Sequence, residues 1–218
     1  MWLRHFTDPR SIRAGRFAGA VVLACALLQG CASGGSAVEQ PADNATLDAG
    51  RPVPARAQTL YEQAVAMMAA GDYTEARLRF GEFLLQYPDY PGAHANLAII
   101  SLHSGDEAGA EESISRALAI DAAYAPALNL RGMLRRRQGR FEDAEAAYLK
   151  AVTAAPGYAL AHYNLGVLYE LYLQRLEPAL QHFEKYQSLT DDDEQVSKWI
   201  ADLKRRIGSN QRTANVTE

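Results

Sequence analysis

The chain has 218 residues, with 22 Lys and Arg against 26 Asp and Glu and a formal net charge of −4. This acidic balance disfavours nonspecific binding to nucleic acid, which needs a basic surface. Its two cysteines, Cys25 and Cys31, both lie near the N-terminus, so the remaining chain has no thiol and redox chemistry there is excluded.

The N-terminal segment has the pattern of an export signal. A basic stretch precedes the apolar run Phe17–Leu28, and its arginines are Arg4, Arg10, Arg13 and Arg16. The apolar run has 12 residues, whereas a transmembrane helix needs about 20. Residues 1–30 are therefore predicted to be a signal peptide. An ordinary cleaved signal and an uncleaved anchor are the alternatives. Without its four arginines and Asp8, 18 basic and 25 acidic residues remain, a net charge of −7.

The end of the apolar run, Leu28-Gln29-Gly30-Cys31, resembles the bacterial lipoprotein signal. The resemblance implies cleavage before Cys31 and acylation of its thiol, so that the chain carries no cofactor but a covalent lipid. Cys25 is a poorer candidate, because it lies inside the apolar run and would shorten it to about eight residues. Ala32 follows Cys31 where an aspartate would indicate inner-membrane retention. This implies a lipid anchor in the outer membrane, with the remaining chain facing the periplasm.

The segment that follows, residues 31–56, is predicted to be the acylated cysteine and a flexible tether. It is rich in Gly, Ser, Ala, Pro and Asp and contains few aliphatic side chains. Such a segment cannot bury enough apolar surface to fold. A flexible chain of this length has a root-mean-square reach of about 25–30 Å.

Residues 57–190 repeat themselves with a period of about 34 residues, a length typical of paired-helix repeats. Three positions recur at this spacing in three successive repeats: Gly71, Gly105 and Gly139; Ala76, Ala110 and Ala144; Phe80, Ile114 and Tyr148. A turn glycine, a small residue and a large apolar residue at this period indicate a helix-turn-helix repeat. The predicted repeats are residues 57–90, 91–124, 125–158 and 159–190.

The residue types explain why each repeat should fold as two packed helices. Glycine adopts the positive φ that ends the first helix, and acidic residues such as Asp72 and Asp106 favour the N-terminus of the second. Pro88 and Pro156 end second helices. Small residues let the two helices approach closely: Ala64, Ala98, Gly132 and Gly166 on the first helix, and Ala76, Ala110, Ala144 and Ala179 on the second.

The motifs Asn96-Leu97-Ala98, Asn164-Leu165-Gly166 and Gly139–Ala144 resemble the tetratricopeptide repeat family. The resemblance covers about 130 of the 218 residues. It implies an all-α fold, a right-handed α-solenoid of about four repeats with a C-terminal capping helix. The fourth repeat departs from the pattern: Leu173-Gln174-Arg175 replaces the turn glycine, with one extra residue.

The capping helix is predicted over residues 191–207, with Thr190 as its N-cap. An apolar stripe that includes Trp199 runs along it, and its other side is charged. Trp199 is expected to be buried against the last repeat; an anchor for a partner is the alternative. Residues 208–218 are predicted to be disordered.

By the family resemblance, the inward positions of the first helices form a peptide-binding groove. The predicted groove residues are Tyr61, Asn96, Ile99, His103, Asn129, Met133, Arg136, Arg137, Tyr163 and Asn164. Asn96 and Asn164 are the leading candidates, since an amide pairs with both peptide N–H and C=O; a hydrogen bond between repeats is the alternative. Arg136 and Arg137 would bind an acidic segment or a C-terminal carboxylate. Their alternative is a solvated face balanced by Glu142, Asp143 and Glu170.

Catalytic and metal-binding patterns do not emerge from the sequence, so we predict that the chain is not an enzyme. His94 and His162 occupy equivalent positions in the repeats, which indicates a repeat preference and not a metal site. His103 and His182 stand alone, without other residues at ligand spacing. Nucleophile and phosphate-binding motifs are also missing from the sequence.

The sequence therefore favours a non-enzymatic scaffold that binds a protein or peptide of the bacterial cell envelope. Residues 163–206 loosely resemble repeat proteins of TonB/ExbB/ExbD-type transport. An assembly factor resembling a pilotin, which would carry a secretin or pilus subunit, is the alternative from another class. An accessory to a cell-wall enzyme is the third.

Overall fold

The computed structural model describes residues 54–191 and 193–216, with side chains as far as residue 212. The predicted signal peptide, Cys25, Cys31 and nearly all of the tether lie outside the described residues. The described residues form nine helices: α1 (Ala55–Ala69), α2 (Tyr73–Gln86), α3 (Pro91–Ser104), α4 (Glu107–Ile120), α5 (Ala125–Arg137), α6 (Phe141–Ala154), α7 (Ala159–Leu171), α8 (Leu176–Leu189) and α9 (Glu194–Val216). Among these helices, none combines the length and apolarity needed to cross a membrane.

Consecutive helices pack as antiparallel pairs, and each pair stacks on the next. The pairs α1/α2, α3/α4, α5/α6 and α7/α8 make the closest contacts, and α9 packs on α8. The first helices also meet directly, α3 with α5 and α5 with α7, so they lie side by side on one face. The predicted all-α solenoid of four repeats and a capping helix is confirmed.

The turns within the repeats form as their residues dictate. Gly71, Gly105 and Gly139 adopt φ values of 80°, 79° and 73°. These are left-handed values that glycine reaches without a steric cost. In the fourth repeat Gln174 occupies this conformation, with φ 53°. The fourth turn therefore has the same left-handed backbone conformation as the other three, although a glutamine and not a glycine adopts it.

Aspartates begin two of the second helices. The side chain of Asp72 accepts a hydrogen bond from the backbone N–H of Glu75 at 3.0 Å, and Asp106 accepts one from Gly109 at 2.9 Å. Each satisfies a donor that the first helical turn leaves without an intrahelical acceptor. The acidic residues thus act as specific caps as well as favourable charges.

The small residues of the first helices face large buried rings of the second helices. A Cβ added at Gly132 would lie 2.4 Å from Cε1 of Tyr148, and one added at Gly166 would lie 2.7 Å from the ring of Phe183. Both rings are fully buried. In these two repeats, the pairing of a glycine with a ring sets the separation of the two helices.

The capping helix differs from its prediction at both ends. Asp193, not Thr190, is its N-cap: the Asp193 carboxylate accepts hydrogen bonds from the backbone N–H groups of Gln195 and Val196 at 2.9 and 3.1 Å. Thr190 instead ends α8 and donates to the Tyr186 carbonyl at 3.0 Å. The predicted disordered tail is also wrong as far as Val216, because Gly208 weakens a helix by only about 1 kcal/mol and no proline follows it.

Candidate functional site

The face formed by α1, α3, α5 and α7 carries a row of partly exposed side chains. Val65, Ile99 and Met133 occupy equivalent positions in successive first helices, and all three are half-buried. His103 is exposed at the end of α3, with its ring stacked 4.0 Å from that of Tyr73. Together with Arg136, we call these residues the inner patch: Val65, Ile99, His103, Met133 and Arg136.

The predicted groove asparagines are not available to a ligand, and their assignment to a binding surface was wrong. Asn96, Asn129 and Asn164 are between 0% and 3% exposed. The Asn96 amide donates to the Tyr61 hydroxyl at 2.7 Å, and the Asn164 amide donates to Oδ1 of Asn129 at 3.0 Å. Tyr61 is itself only 2% exposed, so it also leaves the predicted groove. These residues join neighbouring repeats, which was the alternative interpretation.

The two hydrogen bonds belong to one repeated contact between first helices. In both, the residues are 35 positions apart in sequence. The equivalent pair between the second and third repeats is Ala95 and Leu130, which have the same spacing in sequence. Both are buried in one apolar cluster. Polar, apolar and polar contacts therefore alternate along the stack. The amide N–H groups of Asn96 and Asn164 are paired, whereas Oδ1 of Asn96 is buried without a hydrogen-bond partner among the described residues.

Tyr163 is covered by the capping helix. Its ring lies 6.0 Å from that of Trp199 and 5.3 Å from that of Tyr186, and it is half-buried. Burial, followed by the proximity of Tyr186 and Asp193, raises the pKa of Tyr163 to about 12. The groove therefore ends before the fourth repeat, where Trp199 packs on Tyr163 and Phe183.

Most of the arginines around the third repeat are balanced by acids of neighbouring helices. Glu111 of α4 pairs with Arg135 at 2.9 Å. Arg137 donates to the Leu102 carbonyl at 2.9 Å and lies 3.6 Å from Glu107. These contacts hold Arg137 at the edge between repeats and not in a groove. The alternative interpretation, a solvated face on which acids balance these arginines, was thus the better one. The acids that pair with Arg135 and Arg137 are Glu111 and Glu107, which the sequence analysis had not named.

Arg136 contacts an aromatic ring. Its guanidinium carbon lies 6.0 Å from the centre of the Tyr172 ring, at the end of the row that contains Met133. The inner patch is therefore apolar along most of its length and carries a cation at one end. It suits an extended segment with apolar side chains and a nearby carboxylate.

Comparisons with known proteins decide the family. Two models described as "Tetratricopeptide repeat" match residues 67–134 and 129–194. The chain belongs to the tetratricopeptide repeat (TPR) family. TPR repeats are protein-interaction modules, so the chain is a protein-interaction scaffold in the broad sense.

Three similar proteins illustrate the range of the family. The chain is 32% identical over 108 residues to tetratricopeptide repeat protein 36 of Bos taurus, covering 48% of this chain and only 57% of that protein's length. The structure of PilF from Pseudomonas aeruginosa is 26% identical, with a TM-score of 0.63, over 70% of this chain and 69% of that one. The first TPR domain of RPAP3, solved with the HSP90 peptide SRMEEVD, is 17% identical, with a TM-score of 0.50, over 54% of this chain and 95% of that one.

This TPR protein also contains a histidine pair that the sequence did not reveal. Nδ1 of His162 lies 3.0 Å from Nδ1 of His182, and Nε2 of His162 lies 3.1 Å from the Pro156 carbonyl. The sequence analysis predicted that His182 stands alone, and this contact with His162 shows that it does not. Burial, and then the charge of His162, lowers the pKa of His182 to about 4. In the described part of the chain, no three His, Cys, Asp or Glu residues are grouped so as to hold a metal ion.

Proposed function

We propose that this TPR protein is a lipid-anchored scaffold of the bacterial outer membrane whose inner patch binds an extended segment of an envelope protein. The observation that carries the proposal is the row Val65, Ile99 and Met133. These apolar side chains remain partly exposed on the face where the first helices lie side by side. TPR solenoids offer such a face as a concave binding surface.

The chemistry of the inner patch defines the class of ligand. Ile99 and Met133 offer apolar contacts to side chains of an extended peptide, and the partly exposed Arg136 places a positive charge beside them that attracts a carboxylate. The exposed imidazole of His103, four residues after Ile99 in α3, adds a hydrogen-bonding group. The preferred ligand is therefore an apolar segment with an Asp, a Glu or a C-terminal carboxylate.

The inner patch is tested by two substitutions and a matched control. Ile99→Glu and Met133→Glu place a carboxylate within the row. Leu78→Glu changes a leucine of α2 that is 58% exposed and lies outside the row. We expect both inner variants to lose the envelope protein that co-purifies with the wild type, and Leu78→Glu to retain it. Circular dichroism melting of each variant checks that the fold persists. Equal retention by folded variants at all three sites would refute binding at the inner patch.

The anchor is supported by the sequence Leu28–Cys31 and by the polar segment that follows it. Metabolic labelling with palmitate provides a direct test. We expect Cys31→Ser to lose the label and to leave the outer-membrane fraction, while Cys25→Ser keeps both. Labelling that depends on Cys25, or that persists in Cys31→Ser, would contradict the proposed anchor.

The scaffold is distinguished from a pilotin-like assembly factor by the lifetime of the complex. A scaffold retains its partner in a fixed ratio after detergent extraction, and a component of TonB-type transport would be such a partner. An assembly factor releases its client, so deletion of the chain would mislocalise a secretin or pilus subunit that does not co-purify in a fixed ratio. We expect the first result.

A further inference from the structure

The apolar row of the inner patch follows the stacking of the first helices. Val65, Ile99 and Met133 are 34 residues apart in sequence, at equivalent places in α1, α3 and α5, and each is half-buried. Neighbouring first helices touch directly: α3 contacts α5, and the Asn96 amide of α3 donates to the Tyr61 hydroxyl of α1 at 2.7 Å. Because helices in such contact lie about 8–10 Å apart between their axes, the row presents one apolar side chain at about this step.

This step distinguishes between the backbone conformations that a bound segment could adopt. In a β-strand, side chains on one face recur at every second residue, about 6.4–6.8 Å apart. On one face of an α-helix they recur after three, four or seven residues, at about 4.5, 6.0 and 10.5 Å. In polyproline II, every third residue points the same way, at a step of about 9.3 Å. Of these conformations, polyproline II is the one whose step falls within the spacing of the row.

Two aromatic pairs border the row. The Tyr73 ring stacks on that of His103, with ring centres 4.0 Å apart, and the Phe141 ring lies 4.8 Å from that of Tyr172. The first pair is one helical turn from Ile99, and the second lies beside the arginine of the inner patch. All four rings keep part of their surface exposed. Grooves lined by aromatic side chains are the surfaces on which proline-rich polyproline II segments dock.

From the step of the row and its aromatic border, we propose that the inner patch binds a proline-rich segment in the polyproline II conformation, with apolar residues at every third position. This inference rests on the proposed function, because it names the ligand class of the same surface. One apolar side chain of the segment contacts each of Val65, Ile99 and Met133. The prolines between them pack on the exposed parts of the aromatic pairs.

The intervening prolines also prepare the segment for binding. Each proline holds its own φ at about −65° and disfavours the helical conformation of the residue before it. An apolar residue that precedes a proline is thus already in the extended region. Ordering such a segment on the row costs less conformational entropy than ordering a chain without prolines.

Three fluorescein-labelled peptides of equal composition test this register on the full, detergent-solubilised chain. Each contains three leucines, six prolines and a C-terminal glutamate, with the leucines at every third, every second or every fourth position. Because polyproline II repeats after three residues, all three leucines face the row in the first peptide, and only one at a time does so in the others. Burial of each further leucine tightens binding by about tenfold. We therefore expect fluorescence polarisation to show that the first peptide binds about tenfold or more tightly than the others. Equal binding of the three peptides, or no binding of the first, would overturn the proposal.

Variants separate this inference from the proposed function. Ile99→Glu should weaken binding of the first peptide, and Leu78→Glu, outside the row, should not. His103→Ala removes an exposed ring of the aromatic border and should also weaken it; unchanged binding would contradict that border. Peptides that bind through Ile99 without a preference for leucine spacing would refute the polyproline II register and leave the proposed function standing. Binding of the first peptide that Ile99→Glu does not change would overturn the proposal, whereas the proposed function is judged by co-purification with the same variant.

Discussion

The contact between Gly132 and Tyr148 gives a quantitative test of how the repeats pack. In Gly132→Ala the new Cβ would lie 2.4 Å from Cε1 and 2.5 Å from Cδ1 of Tyr148. Unstrained carbon atoms approach to about 3.5–4.0 Å, so the ring would have to move by about 1 Å. Because the ring is fully buried, it has no solvent side into which to move. Overpacking of this kind costs about 1–3 kcal/mol.

The gain in helix propensity must be separated from this cost. Alanine is favoured over glycine in a helix interior by about 1 kcal/mol, so Gly132→Ala alone gives a mixed result. Gly81, inside α2, is the matched control, because a Cβ added there meets nothing within 4 Å. We expect Gly132→Ala to be about 1–3 kcal/mol less stable than Gly81→Ala in urea denaturation followed by circular dichroism. Equal stability of the two variants would refute the packing argument.

A second substitution should reverse the effect. The second repeat combines Ala98 with Ile114 at the two positions where the third repeat combines Gly132 with Tyr148. The double variant Gly132→Ala/Tyr148→Ile copies this pair. We expect it to lose less stability than the two single changes added together, since each change compensates for the other. Additive losses would mean that the two residues do not compete for one space.

Three further predictions concern the buried polar groups. Asn164→Leu leaves Oδ1 of Asn129 buried without its donor, so its free energy of unfolding should fall by about 1–3 kcal/mol, and adding Asn129→Ala should restore part of it. Tyr148→Phe removes a buried hydroxyl that has no hydrogen-bond partner among the described residues, so the free energy of unfolding should rise by about 1 kcal/mol. The pKa of His182 lies near 4 in the folded protein, below the usual value for histidine. The unfolded chain therefore binds more protons between about pH 6.5 and pH 4, and stability should fall as the pH is lowered through this window. His182→Gln should flatten that loss, and an unchanged pH profile would refute the assignment.

Local features of the fold could be predicted from the sequence because they depend on residues close in the chain. Gly105 determines the turn of its repeat through its own φ angle, and Asp106 caps the helix that begins at the next residue. The start of α9 was misplaced because Thr190 and Asp193 are both competent caps. In the structure Thr190 bonds back to the Tyr186 carbonyl of α8, and Asp193 caps α9. Residue type alone does not distinguish the two.

The candidate site was harder to predict because it depends on how tightly the repeats stack. Asn96 occupies an inward position of its repeat, but the separation of α1 and α3 decides whether its amide meets Tyr61 or a ligand. The structure shows that it meets Tyr61. The pairing of His182 with His162 was missed because the two residues are 20 positions apart on α8 and α7, and their contact depends on how closely those helices pack. The sequence carries no signal for that distance.

Site-specific photo-crosslinking on the inner patch, in the cells that make the protein, tests the central claim most directly. The crosslinker replaces Ile99 in one variant and Met133 in another, with Leu78 of α2 as the exposed control site. Binding of a partner at the inner patch predicts one discrete adduct, with the same envelope protein, from both Ile99 and Met133 but not from Leu78. Equal adducts from all three positions, or adducts from Leu78 alone, would contradict the inner patch as the binding surface.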